Sequence, residues 1–167
     1  MGDKFIIRRF ASEDVSAVQT VIHRGLREVN GKDYPAKHIE DFCAYFTIGK
    51  ILSQADSAHT YVAVSEGGRI LGTGSIAPFW NSETESILLT IYVLPDFIGN
   101  GIGTAIVKAL ENDEFFLRAR RIEIPSSVTA VGFYRKMGYL PKDGEDAPDE
   151  EGLVRMEKNR CPMPKRA

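Results

Sequence analysis

The chain has 167 residues, 43% of them hydrophobic, which is enough to bury the core of one domain. Its 21 basic and 23 acidic residues nearly cancel, so we expect no partner among nucleic acids or anionic membranes. No apolar run approaches the roughly 20 residues that cross a bilayer, and no signal peptide is evident. We therefore expect one cytoplasmic domain over residues 1–158 and a polar C-terminal tail over 159–167.

The first half of the chain predicts a strand, two helices and a hairpin. The segment KFIIRRF is typical of a strand, and Ser12 is expected to begin a helix whose apolar positions recur as far as Val29. Pro35 is expected to open a second helix that Gly49 closes. Two β-rich runs in HTYVAVSEGGRILGTGSIA flank a glycine pair and indicate a hairpin.

The second half predicts a long central strand and two further helices. The run ESILLTIYVLP is apolar on both faces and ends at Pro95. A helix with an apolar face follows from Ile102, then the short strand RRIEI. A final helical stripe contains Tyr134 and ends at Gly138, before the strand LVRME. The segment 143–151 holds six acidic residues and is expected to be a solvated loop.

Three glycines, Gly99, Gly101 and Gly103, stand between the central strand and the next helix. A dinucleotide motif would require a third glycine at Thr104, and a triphosphate loop would require lysine at Ala105. Two interpretations remain. The glycines form either a tight turn that binds nothing, or an anion site made of backbone N–H groups at a helix start, which suits a diphosphate.

Two motifs resemble those of the GNAT family of acetyl-CoA-dependent N-acetyltransferases. They are IGNGIG at Ile98–Gly103 and FYRKMGY at Phe133–Tyr139, and the order of predicted elements matches the family over most of the chain. The resemblance implies an α/β (α+β) fold, with a mixed, largely antiparallel sheet and helices on both faces. Two positions depart from the family pattern, because Ile98 replaces Gln or Arg and Ser127 replaces a common Asn.

The resemblance also implies acetyl-CoA as cosubstrate. Loop amides would hold the pyrophosphate, and main-chain groups of the central strand would pair with the pantetheine arm. Ser127 would contact the cofactor or cap the helix. The implied cofactor-binding residues are Ile91, Tyr92, Val93, Ile98, Gly99, Asn100, Gly101, Ile102, Gly103, Thr104, Ser127 and Tyr134. The scattered histidines and the two distant cysteines predict no metal site.

Direct acetyl transfer to a primary amine requires a neutral amine, a donor for the oxyanion and a proton for the departing thiolate. By the resemblance Tyr134 is the proton donor, with a core tyrosine as the alternative, and the N–H of Val93 meets the oxyanion. Glu85 is the predicted base, because a regular strand would put it on the face shared with Ile91 and Val93. There are two other options for the base: Glu28 could serve, or the enzyme could supply no base at all.

The segments EVNGKDYPAKH and PFWNSE are expected to recognise a small-molecule or peptide amine. Their candidate residues are Asp33, Tyr34, His38 and Trp80. Two copies could form a homodimer through their last strands. Two other functions stay open: a non-catalytic acyl-CoA-binding or sensing module, and a nucleotide-binding protein.

Overall fold

The computed structural model describes residues 4–161, and its centre is one seven-stranded sheet. The strands run in the spatial order β1-β2-β3-β4-β5-β7-β6, and only the β4–β5 pair is parallel among those described. This confirms the mixed, largely antiparallel sheet. The strands are β1 (Phe5–Arg9), β2 (His59–Ser65), β3 (Ile70–Pro78), β4 (Glu85–Val93), β5 (Arg121–Ser127), β6 (Leu140–Pro141) and β7 (Leu153–Asn159).

Six α-helices within the described residues accompany the sheet, and both α1 and α4 pack on β3 and β4. They are α1 (Val15–Arg24), α2 (Ala36–Tyr45), α3 (Ile48–Ser57), α4 (Ile102–Glu111), α5 (Glu114–Leu117) and α6 (Val131–Lys136). A π-helical turn, Gly25–Val29, continues α1. Between residues 4 and 161, no helix combines the length and apolar character needed to cross a bilayer.

The structure corrects the predicted start of the first helix and the predicted end of the second. Ser12 lies in a 3-10 turn and does not cap α1; the Asp14 carboxylate instead accepts the Ala11 N–H at 2.8 Å. Gly49 does not close α2, because it lies inside α3, a helix that the prediction missed. The Thr47 hydroxyl caps α3 by accepting the Lys50 N–H at 3.1 Å, which is the sequence signal that was overlooked.

The predicted tail begins too early. Asn159 is the last residue of β7, and the Arg160 guanidinium donates to the carbonyl oxygens of Phe116, Leu117 and Ala119 at 2.9–3.1 Å. These two residues therefore belong to the folded domain. The rest of the predicted tail after Cys161 lies outside the described residues.

A β-bulge interrupts β4 in its middle. Thr73 of β3 lies opposite Tyr92 and Ser75 lies opposite Leu89, so Gly74 alone faces the two residues Thr90 and Ile91. Thr90 has a φ of +54°, which is unusual for a β-branched residue. The extra residue reverses the alternation of side chains along the remainder of the strand.

The reversal is visible in the side-chain contacts. Before the bulge, Ser86 faces α5, where its hydroxyl donates to the Phe115 carbonyl at 2.7 Å. After the bulge, Ile91 faces α4 and Tyr92 faces the π-helical turn, where its ring approaches Gly25. The regular strand assumed for Glu85 is therefore wrong, since Glu85 and Ile91 point to opposite faces of the sheet.

The strands β4 and β5 separate soon after they meet. They pair only where Glu85–Ile87 lie beside Arg121–Glu123, while β5 remains paired with β7 as far as Ser127. Beyond Ile87, no strand among residues 4–161 pairs with β4 on its β5 side. The two strands therefore splay apart, and this leaves a gap in the sheet.

The close packing of Gly74 against α4 generates the first prediction. A Cβ on Gly74 would lie 2.6 Å from Cγ2 of Ile106. We expect Gly74→Ala to lower the free energy of unfolding by about 1–3 kcal/mol, because core overpacking forces side chains and backbone to shift. Urea denaturation of purified protein measures this change.

Gly49→Ala is the matched control. A Cβ at Gly49 in α3 has no atom within 4 Å, so this change should stabilise the helix by about 0.5–1 kcal/mol. A Gly74→Ala protein as stable as the parent would contradict the tight contact between β3 and α4.

Candidate active site

A cavity of about 640 Å³ occupies the gap between β4 and β5. Its walls are the second half of β4, the end of β5, the start of α4, α6 and the segment between α1 and α2. The following predicted cofactor-binding residues line it: Ile91, Tyr92, Val93, Ile98, Gly99, Gly101, Ile102, Gly103, Thr104, Ser127 and Tyr134. The structure thus brings nearly all of that predicted set together in one cavity.

The two sequence motifs meet at one end of this cavity. A Cβ on Gly103, in the first turn of α4, would lie 3.4 Å from the Phe133 ring of α6. Gly99 and Gly101 have φ values of +89° and +80°, a backbone conformation that favours glycine. The left-handed Gly101 immediately precedes α4 and directs the loop into the helix.

The loop presents unpaired amides. Within the described chain, the backbone N–H groups from Gly99 to Thr104 have no hydrogen-bond partner. The Ile98 N–H differs, because it already donates to the Pro95 carbonyl at 3.4 Å. Asn100 does not line the cavity, and its side-chain amide donates to the Phe97 carbonyl at 3.2 Å. Free amides at the positive end of a helix dipole form an anion site.

Main-chain groups of β4 face the gap. The Leu94 N–H donates to the Leu71 carbonyl at 2.8 Å, so the backbone of Leu94 points toward β3. Because backbone groups alternate in direction along a strand, those of Ile91 and Val93 point away from β3. They therefore open toward the gap that β5 leaves.

Tyr134 lies in both the core and the cavity wall. Its side chain is buried and packs against Tyr139, with ring centroids 6.2 Å apart, yet it also lines the cavity. Among residues 4–161 its hydroxyl makes no hydrogen bond. Burial raises the pKa of Tyr134 well above its usual value, so the phenol keeps its proton. Ser127 lines the cavity too, and its side chain makes no cap hydrogen bond to the turn that follows it.

Neither predicted base reaches the cavity. The Glu85 carboxylate accepts a hydrogen bond from Arg121 at 2.7 Å, in a cluster where Arg121 also pairs with Glu123 and Glu157 at 3.0 Å. Glu28 is paired with Arg24 at 2.6 Å on the surface. Neither lines the cavity, and no aspartate or glutamate of the described chain does. The structure therefore gives no support to Glu85 as the base.

Tyr34 connects several segments around the cavity by hydrogen bonds. Its hydroxyl donates to the Gly152 carbonyl at 2.6 Å and accepts the Val128 N–H at 2.9 Å. These bonds tie the segment between α1 and α2 to the ends of two other loops. The Thr129 hydroxyl donates to Asp33 at 2.7 Å and reinforces the same connection. Sequence patterns cannot show such contacts, because they join residues about 100 positions apart.

Of the other residues predicted to recognise the acceptor, His38 lines the cavity and Trp80 does not. His38 lines the cavity, with its ring stacked on Tyr34 at a centroid distance of 4.9 Å. Its Nε2 is buried without a hydrogen-bond partner among the described residues. Trp80 is 88% exposed, has a φ of +48° and does not line the cavity. The segment PFWNSE therefore contributes no side chain to the cavity.

Two lining residues were missed in the sequence. Phe42 was not singled out; it packs against the core and also lines the cavity. Gly25 was not singled out, although a Cβ there would lie 2.7 Å from the Tyr92 ring. A glycine inside a helical pattern was the available signal, since such a residue often permits close packing. No group of three or more His, Cys, Asp or Glu in residues 4–161 could hold a metal ion.

The Tyr34 bridge generates a testable prediction. Tyr34→Phe would leave the Val128 N–H and the Gly152 carbonyl without their partner, so we expect a loss of about 1–3 kcal/mol in the free energy of unfolding. Urea denaturation measures it. Tyr45→Phe removes a hydroxyl from an exposed ring on α2 and should leave stability unchanged. Equal stability of the two variants would argue against the bridge.

A cavity between splayed strands, with free amides at a helix start, is the site that the resemblance to acetyl-CoA-dependent N-acetyltransferases predicts. Comparisons with known proteins agree with this class. Residues 21–139 match the model of the acetyltransferase (GNAT) family. An uncharacterized N-acetyltransferase of Methanocaldococcus jannaschii is 31% identical over 154 residues, covering 85% of this chain and 87% of that protein. The chain therefore belongs to the acetyltransferase (GNAT) family and is an N-acetyltransferase.

Solved structures share the fold. A GCN5-related N-acetyltransferase from Rhodopseudomonas palustris has a TM-score of 0.76 at 20% identity, covering 96% of this chain and 98% of that one. The PaiA N-acetyltransferase of Thermoplasma acidophilum, solved with coenzyme A, has a TM-score of 0.75 at 19% identity, covering 94% and 99%. A GNAT acetyltransferase from Brucella melitensis, solved with acetyl-CoA, has a TM-score of 0.65 at 20% identity, covering 97% and 92%.

Proposed function

We propose that this N-acetyltransferase moves the acetyl group of acetyl-CoA directly to a primary amine. One observation carries the proposal: the unpaired amides of Gly99–Thr104 and the Tyr134 side chain border the same cavity between β4 and β5. The coenzyme A and acetyl-CoA bound to solved relatives of the same fold support acetyl-CoA as the cosubstrate.

In this proposal the loop holds the pyrophosphate with its backbone. The N–H groups of Gly99–Thr104 donate to the phosphate oxygens, and the Thr104 hydroxyl is a further donor. Ile98 contributes neither a side-chain donor nor a free amide. Lys136 is the only Lys, Arg, Asp or Glu among the described lining residues, and its ammonium supplies the positive charge for the phosphates.

The pantetheine arm lies in the gap as an added strand. The main-chain groups of Ile91 and Val93 point toward that gap, so they are available to pair with the arm's two amides. Tyr92 and Ser127 form parts of the walls. This arrangement brings the thioester near the middle of the cavity, where the strands have just separated.

The chemistry needs few side chains. The neutral amine attacks the thioester carbonyl carbon, and the Val93 N–H stabilises the oxyanion that forms. As the carbon–sulfur bond breaks, Tyr134 gives its proton to the sulfur, which leaves as the thiol of coenzyme A. The nitrogen loses a proton to water, and Tyr134 regains one from solvent. No carboxylate of the described chain lines the cavity, and in this proposal no enzyme base is assigned, with the amine entering already deprotonated.

Ligand binding tests the loop. Acetyl-CoA and CoA at about 100 times their dissociation constants should stabilise the native state by about 2.7 kcal/mol, because they bind only the folded chain. For a chain of this size the melting temperature should rise by about 5–10 °C. Thermal denaturation with each ligand measures the shift.

ATP and NAD at matched concentrations are the ligand controls, and a shift with either alone would favour a nucleotide-binding protein. Gly101→Ala should reduce the acetyl-CoA shift, because the φ of +80° disfavours a side chain and the loop must move. Gly49→Ala, in α3 and outside the cavity, should retain it. No shift in the parent would count against the proposed coenzyme site.

Replacement of the proton donor tests the chemistry. Tyr134→Phe should lower kcat by roughly 10²-fold while the acetyl-CoA shift is retained, because general acids typically contribute about 10²–10⁴ to the rate. Release of the coenzyme A thiol in the presence of amines gives the rate. The matched control is Tyr45→Phe, which changes a tyrosine outside the cavity.

Unchanged turnover in Tyr134→Phe would assign this residue to core packing alone. If the parent protein binds acetyl-CoA but transfers its acetyl group to no amine, the non-catalytic acyl-CoA-binding module becomes the better explanation. The two outcomes are distinct, since the first requires a working enzyme and the second excludes one.

A further inference from the structure

The part of the cavity bordered by α2 and by the segment between α1 and α2 is here called the acceptor chamber. Its wall from the segment between α1 and α2, and from α2 itself, consists of Val29, Asn30, Tyr34, His38, Ile39 and Phe42. The sheet side carries Leu89 and Leu153. Because the free amides belong to the glycine loop and not to these walls, this chamber is where an acceptor would meet the acetyl group.

The described walls of the chamber contain no Lys, Arg, Asp or Glu. Nearby carboxylates lie outside the lining: Asp33 accepts the Thr129 hydroxyl at 2.7 Å, and Glu40 is paired with Arg27 at 2.9 Å. Asp149 pairs with Arg155 at 2.8 Å and also accepts backbone N–H groups. A second positive charge on an acceptor would therefore lose its water without gaining a counter-ion, which is unfavourable.

Aromatic rings form one side of the chamber. Tyr34 and His38 are stacked with an interplanar angle of 7°, and Phe42 follows His38 at a centroid distance of 4.8 Å. His38 and Phe42 are one helical turn apart on α2, so the rings form a continuous row. The Tyr34 hydroxyl is already used by Gly152 and Val128, so the residue offers its ring and no free donor.

The Tyr34 bridge also limits the size of the acceptor. It ties three segments together around the cavity, and the total volume of about 640 Å³ must also contain the reactive arm of the coenzyme. A compact molecule fits such a space better than an extended polymer.

We propose that the acceptor is a small arylalkylamine, that is, a monoamine whose nitrogen is joined to a flat aromatic group by a short alkyl chain, and that polyamines are poor substrates. The described chamber walls, which contain no Lys, Arg, Asp or Glu, and the aromatic row at Tyr34, His38 and Phe42 carry this inference. It rests on the proposed function for the acetyl transfer itself, whereas amine binding in the chamber can be measured independently. Aromatic contacts select the flat group, and the lack of a counter-ion rejects the second charge.

A comparison of two amines tests the inference. The purified full chain is given acetyl-CoA with 2-phenylethylamine or with putrescine, and release of thiol is followed. We expect kcat/KM for 2-phenylethylamine to be at least about tenfold higher, the size of effect that an apolar contact supplies. Saturation-transfer NMR on the protein alone should show binding of 2-phenylethylamine and little binding of putrescine.

Variants of α2 locate the effect. Phe42→Glu should lower kcat/KM for 2-phenylethylamine by about tenfold and raise that for putrescine, because it replaces a ring with a counter-ion. Tyr45→Glu makes the same kind of change on an exposed residue outside the cavity and should alter both values less than about twofold. If Phe42→Glu does not fold, Phe42→Leu should still lower the ratio of kcat/KM for 2-phenylethylamine to kcat/KM for putrescine.

The outcomes separate the two proposals. Turnover of putrescine equal to or better than that of 2-phenylethylamine would overturn the acceptor inference and leave the acetyl transfer intact. Binding of 2-phenylethylamine that depends on Phe42, without any acetyl transfer, would support the chamber and overturn the proposed function. Failure of 2-phenylethylamine both to bind and to react would overturn the inference.

Discussion

The β-bulge in β4 shapes the cavity more than any other local feature. Two residues, Thr90 and Ile91, lie opposite the single Gly74 of β3. Beyond them, each side chain of β4 points to the face opposite to the one that a regular strand would give it. The Gln54 side chain of α3 donates to the Thr90 hydroxyl at 3.0 Å, and this hydrogen bond from α3 stabilises the bulge. Beside it, β4 no longer pairs with β5. The same irregularity thus accompanies both the opening of the sheet and the placement of Tyr92 against Gly25.

The glycine loop and α6 complete the cavity through backbone geometry. Gly99 and Gly101 adopt left-handed conformations, so the chain can turn sharply while its amides remain unpaired. Gly103 lets the first turn of α4 approach Phe133, which precedes Tyr134 on α6. The two motifs, although distant in the sequence, therefore lie in direct contact. It fixes the loop relative to the proposed proton donor.

The sequence predicts regular elements well where a period or a turn signal is present. The hairpin, the central strand, the helix after the glycines and the stop at Gly138 are all found, because each rests on local patterns. The bulge was not predicted, since Thr90 is an ordinary strand residue in the sequence and its φ follows from its partners. That error alone placed Glu85 on the wrong face. Likewise the sequence predicts a helix end at Gly49, whereas Gly49 lies inside α3.

The distribution of charge explains how such a cavity can work without a carboxylate. Glu85, Glu123 and Glu157 gather around Arg121, whose side chain is only 15% exposed, and this cluster lies outside the cavity lining. An ion pair of this kind needs its partners, so none of these carboxylates is free to act on a substrate. Apart from Lys136, the described lining consists mainly of backbone amides, hydroxyls, aromatic rings and apolar side chains. Such groups can stabilise a developing oxyanion and supply a proton, but they offer no counter-ion to an ammonium. In the proposed function this lack of a counter-ion has two consequences: the amine enters neutral, and an acceptor with a second positive charge is disfavoured.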